Sequence, residues 1–235
     1  MSTLLLRLAA PLQSWGADSK FTRRNTQREP TKSGVIGLCA CALGRRRTED
    51  ISDLLALKFG VRIDQPGTLL RDYHTAHNET FWDKSASSNS KQTFISDRYY
   101  LADAVFVAGL EGEVEFLLSL EKAIKSPVFP LYLGRRSCPP VDPLYLGLRD
   151  MDLVKALHQE AWHAQDWYKG RFKQASLSLE IVFDSENGIV SQDFPLTFDQ
   201  EHRKYGFRIS GRENMDVAAD VATTHDPFRL LGGDE

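Results

Sequence analysis

The order of apolar segments in the first half of this chain restricts its fold more than any other feature. Residues 3–9 are a compact Leu-rich run ended by Pro11, and a run that short predicts a buried strand. From Thr31 the spacing turns helical. A hydroxyl cap is followed by Val35, Ile36, Leu38, Cys39, Ala42 and Leu43 along an apolar face, and Gly44 stops the run. Residues 50–57 predict a second short helix, after which 58–64 and 68–73 read as extended. A polar Ser/Asn-rich stretch, 75–93, separates two extended runs and predicts a hairpin excursion, with Phe81 and Trp82 at its tip as a contact device. Residues 113–125 set Val114, Leu117, Leu118, Leu120, Ala123 and Ile124 mostly on one face, an amphipathic helix ending before Pro127.

Strand, helix, strand, strand, helix predicts an α+β chain with a ferredoxin-like or RNA-recognition-type β-α-β-β-α-β domain, its last strand lying beyond Pro127. Residues 1–148 form that domain, with 73–98 as a protruding hairpin insertion. A helix and alternating runs at 175–183, 189–198 and 203–209 predict a small β-rich part over 149–212. The acidic, weakly patterned residues 213–235 read as a flexible tail.

Charge is distributed unevenly. The chain of 235 residues has a formal net charge of -3, yet residues 1–47 hold nine Lys/Arg against two Asp/Glu, leaving twenty against thirty in the remainder. A basic end on an acidic molecule has either a docking role or a solvated face. The 42% hydrophobic content supports a packed core and argues against disorder. Cys39 and Cys41 lie two apart in a helix, about 200° around its axis, so they do not chelate together. Cys138 stands alone beside Pro139 and Pro140. Reduced thiols in a cytoplasmic protein, with no zinc site, follow. Arg7 interrupts the first apolar run, which lacks a signal-peptide layout, and no stretch is long enough for a membrane span.

The basic end carries Pro11-Leu-Gln-Ser-Trp-Gly16, then Lys20, Arg23, Arg24 and Arg28, then Pro30-Thr-Lys-Ser-Gly-Val-Ile-Gly37 opening the helix. An aromatic, a group of cations and a helix N-terminus suit a phosphate-bearing single strand. Lys20, Arg23, Arg24, Arg28 and Lys32 are candidates for neutralising phosphates, with Ser33 at the helix start. Trp15 is free to stack on a base or to pack. Gly134-Arg-Arg-Ser137 adds two planar guanidiniums, a hydroxyl and exposed amides before two prolines, a clamp for phosphate oxygens or a flipped base made of Gly134, Arg135, Arg136 and Ser137. Arg203, Lys204 and Arg208 either add phosphate contacts or form a solvated strand face.

For catalysis, metal-independent RNA cleavage needs a base for the 2′-hydroxyl and an acid for the leaving oxygen. Tyr73, His74, His77, Lys84 and Lys91 supply the residue types, although adjacent Tyr73 and His74 face opposite sides of a strand. His158 and His163 have no acidic ligand pattern around them. Walker loops, nucleotide-binding glycine fingerprints, paired metal-binding carboxylates and serine-hydrolase elbows are absent.

Four blocks, Pro11-Leu-Gln-Ser-Trp-Gly16, Pro30-Thr-Lys-Ser-Gly-Val-Ile-Gly-Leu38, Leu70-Arg-Asp-Tyr-His-Thr75 and Tyr132-Leu-Gly-Arg-Arg-Ser-Cys-Pro139, stand in an order that resembles the CasD family of type I-E CRISPR Cascade subunits, within the RAMP superfamily. The similarity spans residues 1–148 and thins afterwards. The resemblance implies a subunit that grips and caps the repeat-derived 5′ handle of CRISPR RNA (crRNA). It also implies a thumb hairpin that kinks the guide, and contacts with the backbone and large subunits. Target DNA is met through the complex. Family members of this type are non-catalytic and need no cofactor or metal. Relatives in type I-C cut precursor RNA with Tyr, Lys and His residues, and the alternative here is a metal-independent endoribonuclease using Tyr73, His74 and Lys84 or Lys91.

Overall fold

A computed structural model describes residues 1–16, 22–77, 93–172, 176–199, 201–202 and 204–218. In chain order the main elements are β1 (Ser2–Ala9), β2 (Leu12–Gln13), β3 (Arg23–Arg24), α1 (Lys32–Ala42) and α2 (Ser52–Leu55). Then come β4 (Lys58–Gln65), β5 (Thr68–His77), β6 (Thr93–Ala102), β7 (Val105–Gly112), α3 (Val114–Lys125) and β8 (Tyr145–Arg149). The chain continues through α4 (Leu153–Gln159), α5 (Asp166–Lys169), β9 (Ser176–Thr197) and β10 (Lys204–Ala218).

Strands β4, β7, β1 and β8 are neighbours in that order, all antiparallel, with α1 and α3 as the crossovers. This is the expected β-α-β-β-α-β arrangement. Alternation along the strands explains why the first strand reads as continuous leucine. Leu4, Leu6 and Leu8 point to one face with Phe59, Val61, Phe106 and Leu110, where α1 and α3 cover them through Val35, Ile36, Cys39, Leu117 and Leu120. Leu5 points to the other face with Val107 and Ile181, under Leu153, Ala156 and Leu157 of α4. Both faces are buried, so no polar alternation survives in the sequence.

β5 and β6 pair along their whole length, Thr68 opposite Ala102 through His77 opposite Thr93, and form the expected hairpin. The extended run that follows the polar stretch divides at Asp103, whose φ of 55° turns the chain from the hairpin ribbon into the main sheet. Phe81, Trp82, Lys84 and Lys91 lie outside the described residues, as do Lys20 and Arg203.

The expected division at residue 148 and the flexible tail from 213 are corrected. β9 pairs with β4, with Val61 opposite Val182 and Arg62 opposite Ile181, so the C-terminal strands extend the same sheet. β10 continues to Ala218, with Glu213 opposite Ile181 and Val217 opposite Leu177. Glu213, Met215 and Val217 share one face of this strand, and Met215 packs against the second core cluster. Glu213 meets His158 of α4 at 2.6 Å on this inner face, while Asn214 and Asp216 are exposed on the other. Residues 219–235 lie outside the described residues.

Two buried charge clusters fasten this extension. Arg62 is fully buried beside Asp64, with Nε donating to Asp64 Oδ1 at 2.6 Å. Its Nη1 donates to the Leu157 and Glu160 carbonyls and its Nη2 to that of Ala161, each at 2.6 Å, so a cation caps the C-terminal end of α4. The second cluster joins α1 to the β9–β10 hairpin and bears directly on the candidate site. Among the described residues, no helix is long and apolar enough to cross a membrane.

Candidate nucleic-acid interface

Three of the four sequence blocks interlock. Buried Gln13 donates through Nε2 to the carbonyls of Leu8 (3.1 Å) and Ala104 (2.7 Å), and its Oε1 accepts from Trp15 Nε1 at 3.1 Å. Trp15 is 1% exposed and lies against Gly34, where a Cβ would sit 2.7 Å from Trp15 Cε3. It packs and does not stack on a ligand. Gly134, at φ +83°, brings its backbone so close to Ser14 that a Cβ would lie 1.7 Å from the Ser14 carbonyl oxygen. The Ser14 amide donates to the Leu133 carbonyl at 3.2 Å. The Pro11–Gly16 block is therefore the seat of the arginine turn, and Gly134 serves backbone approach.

From that seat the turn projects its polar side chains. Arg135 stacks its guanidinium 4.6 Å from the Tyr100 ring centroid and donates from Nη2 to the Arg24 carbonyl at 2.8 Å. Arg136 and Ser137 are exposed. Arg23 lies 5.4 Å from the Tyr99 ring centroid and reaches Asn25 Oδ1 at 3.2 Å, and Arg24 is exposed. A groove of about 160 Å³ runs between this turn and the end of α1, lined by Cys41, Arg45, Arg46, Arg47, Tyr132 and Gly134 among others. It is continuous, through Cys41, Arg45, Arg46, Arg47 and Tyr132, with a second of about 560 Å³ whose floor is Phe129, Pro130 and Leu131 and whose rim includes Arg136. Arg45 is held by Asp53. Arg46, Arg47 and Arg136 are exposed and form no ion pair among the described residues. The result is an apolar trough edged by guanidiniums, suited to bases below and phosphates above.

Several expected contacts are corrected because the protein already supplies their partners. Lys32 is buried, its Nζ 2.7 Å from Asp184 Oδ2 and donating to the Leu57 carbonyl at 2.9 Å. The Lys32 amide donates to Asp193 Oδ2 at 2.9 Å, so the N-terminus of α1 already holds a carboxylate. Ser33 is buried and its hydroxyl turns back to Thr31 Oγ1 at 3.3 Å. Arg208 binds Asp193 through Nε (2.6 Å) and Asp184 through Nη1 (3.0 Å) and is 8% exposed at its side chain. Arg28 is exposed but borders a different groove with Glu29, Glu180 and Arg212. Of the alternative catalytic set, Tyr73 faces Asp97 and His74 faces Ser96 across the ribbon, on opposite sides of β5. The structure does not bring these two together.

Sequence reasoning missed Arg46, Arg47 and Tyr132 as groove residues. The 45–47 run is visible in the sequence, but cations just past a helix C-terminus already suit its dipole, and no spacing rule connects the run to residue 136. Burial, followed by neighbouring Cys41, pushes the Tyr132 phenol above its ordinary range, so it meets a ligand as a neutral donor. Burial likewise pushes the Cys138 thiol up, and Cys39, from burial and then Cys41, up to about 12. Neither thiol is a nucleophile at neutral pH.

The model of the family described as CRISPR-associated protein Cas5 matches residues 3–210. The chain belongs to the Cas5 family. Among Cas5 relatives, the CRISPR system Cascade subunit CasD of Escherichia coli (strain K12) is 40% identical over 153 residues, which spans 59% of this chain and 67% of that protein. A solved structure described as a crystal structure of a Cas protein superposes with a TM-score of 0.70 at 39% identity, covering 90% of this Cas5 chain and 94% of the other. A chain of a CRISPR RNA-guided surveillance complex superposes at 0.76 with 32% identity, covering 92% and 91%. The α+β fold and the family expected from the four blocks are both borne out.

Proposed function

We propose that this Cas5 chain is the subunit of a Cascade-type surveillance complex that binds the 5′ handle of crRNA, and that it grips this RNA without cutting it. The observation that carries the reading is the trough edged by Arg46, Arg47 and Arg136, exposed cations with no ion pair among the described residues, beside Arg135 and Arg24. Phosphate contacts position the strand along this rim. The apolar floor accepts unstacked bases, and the β5–β6 hairpin acts as a mechanical thumb. In the assembled particle the chain meets the backbone and large subunits and reaches target DNA only through them, in the cytoplasm. It works without a cofactor.

The separation of Tyr73 from His74 across β5 supports a gripping role over an acid–base pair. The test incubates the full-length chain with labelled repeat RNA in EDTA. Binding without cleavage, lost in the Arg135→Ala/Arg136→Ala double variant and weakened by salt, is the expected result. Defined cleavage that disappears in His74→Ala makes the chain an endoribonuclease instead. Indifference of RNA binding to the arginines overturns the interface.

A further inference from the structure

The trough does not account for every cation on this side of the molecule. Strand alternation puts Asp72, His74, Ser96, Arg98 and Tyr100 on one face of the β5–β6 ribbon, and the parallel register of β3 sets Arg24 beside Arg98. Arg135 reaches the same face from its turn, over Tyr100 and onto the Arg24 carbonyl. Three side-chain nitrogens among the described residues are buried without a hydrogen-bond partner, and all three are here: His74 Nδ1, Arg98 Nε and Arg135 Nη1. Among the described residues of the two strands, Asp72 is the carboxylate on this face; it stands across from Arg98 and forms no ion pair with it. Asp97 lies on the opposite face and is held by Arg71 at 2.9 Å.

Buried polar atoms are almost always satisfied, and two of these three orphans are guanidinium N–H groups, so the patch calls for an acceptor-rich group from outside the chain. We propose that this patch binds one backbone phosphate of the RNA at the root of the hairpin, with Arg98 as the central contact and Arg135 and His74 flanking it. The inference rests on the RNA-binding reading above and adds a subsite to it. Two non-bridging oxygens and a full negative charge match a guanidinium fork and neighbouring polar atoms, and they compensate guanidiniums that form no ion pair among the described residues.

The test uses the full-length chain and single-stranded repeat RNA in which one phosphodiester at a time becomes an uncharged methylphosphonate on a 2′-O-methyl nucleotide. In the parent chain, replacement at one position weakens binding by on the order of tenfold, and Arg98→Gln weakens binding of unmodified RNA by a similar factor. The two losses do not add, because they remove the same contact. Arg98→Gln also lowers the slope of log affinity on log salt by about 0.7, the single-strand value for one phosphate. Arg98→Lys, which keeps the charge and loses the fork, keeps the parent salt slope and recovers only part of the affinity. Equal binding by the parent and Arg98→Gln, or losses that add at every position, overturn the subsite and leave the RNA reading standing. Failure of the parent chain to bind the unmodified RNA overturns both.

Discussion

Gly134 works by having no side chain. Its positive φ and its approach to Ser14 are two separate demands, and any Cβ violates both. Gly134→Ala is expected to destabilise the chain by about 3 kcal/mol, measured by urea unfolding, and to displace the arginines that follow, so RNA affinity falls even where the variant is folded. Cys39 gives a pH dependence. Its thiol stays protonated in the fold up to about 12, against an ordinary value of 9.0. Between those limits the unfolded chain loses a proton that the folded chain keeps. The contribution is complete below pH 9, falls by about 1.4 kcal/mol per pH unit above it, and is gone near pH 12. Urea unfolding of the parent and of Cys39→Ala across pH 9 to 10.5 should show the steeper decline in the parent. At this scale the sequence was partly legible. The Gly134-Arg-Arg-Ser137 block announced itself as a clamp, but nothing in it revealed that its glycine is dictated by a carbonyl some 120 residues earlier.

Between elements, the Lys32, Asp184, Asp193 and Arg208 cluster ties the start of α1 to the β9–β10 hairpin. Two cations and two carboxylates meet with side chains that are 5 to 20% exposed. Asp193→Ala leaves Arg208 short of its main partner and uncovers the N-terminus of α1, and it is expected to cost about 3 to 5 kcal/mol. Hydrogen exchange should then rise across β9, β10 and the first turn of α1 while β1 and β7 remain protected. This cluster also shows why Lys32, Ser33 and Arg208 read as ligand contacts from sequence. A charge is visible in one dimension and its partner is not. Asp184 and Asp193 stand 152 and 161 residues from Lys32. The periodic elements were legible because their signal is local, as α1 shows with its cap at Thr31 and its stop at Gly44. β10 was misread past residue 212 because an edge strand keeps half its side chains in water and resembles a tail.

For the whole molecule, continuity of the sheet outweighs the apparent domain boundary. A fragment ending at residue 148 lacks the strand that pairs with β4, the α4 cover over Leu5 and Val107, and the acidic partners of Lys32. It also leaves the Arg62–Asp64 pair uncovered. Such a fragment is expected to lack a cooperative thermal transition by circular dichroism, whereas the 1–218 chain retains one. The same arrangement sets a schedule during synthesis. Strand β4 leaves the ribosome early, yet the neighbour at its outer edge is about 120 residues behind it, and pairings of such long range close slowly. The arginines of the trough emerge long before the carboxylates that fix α1 beneath it. A nascent chain thus displays cationic side chains before it owns a finished groove, and discriminating capture of RNA becomes a late event in the life of each molecule.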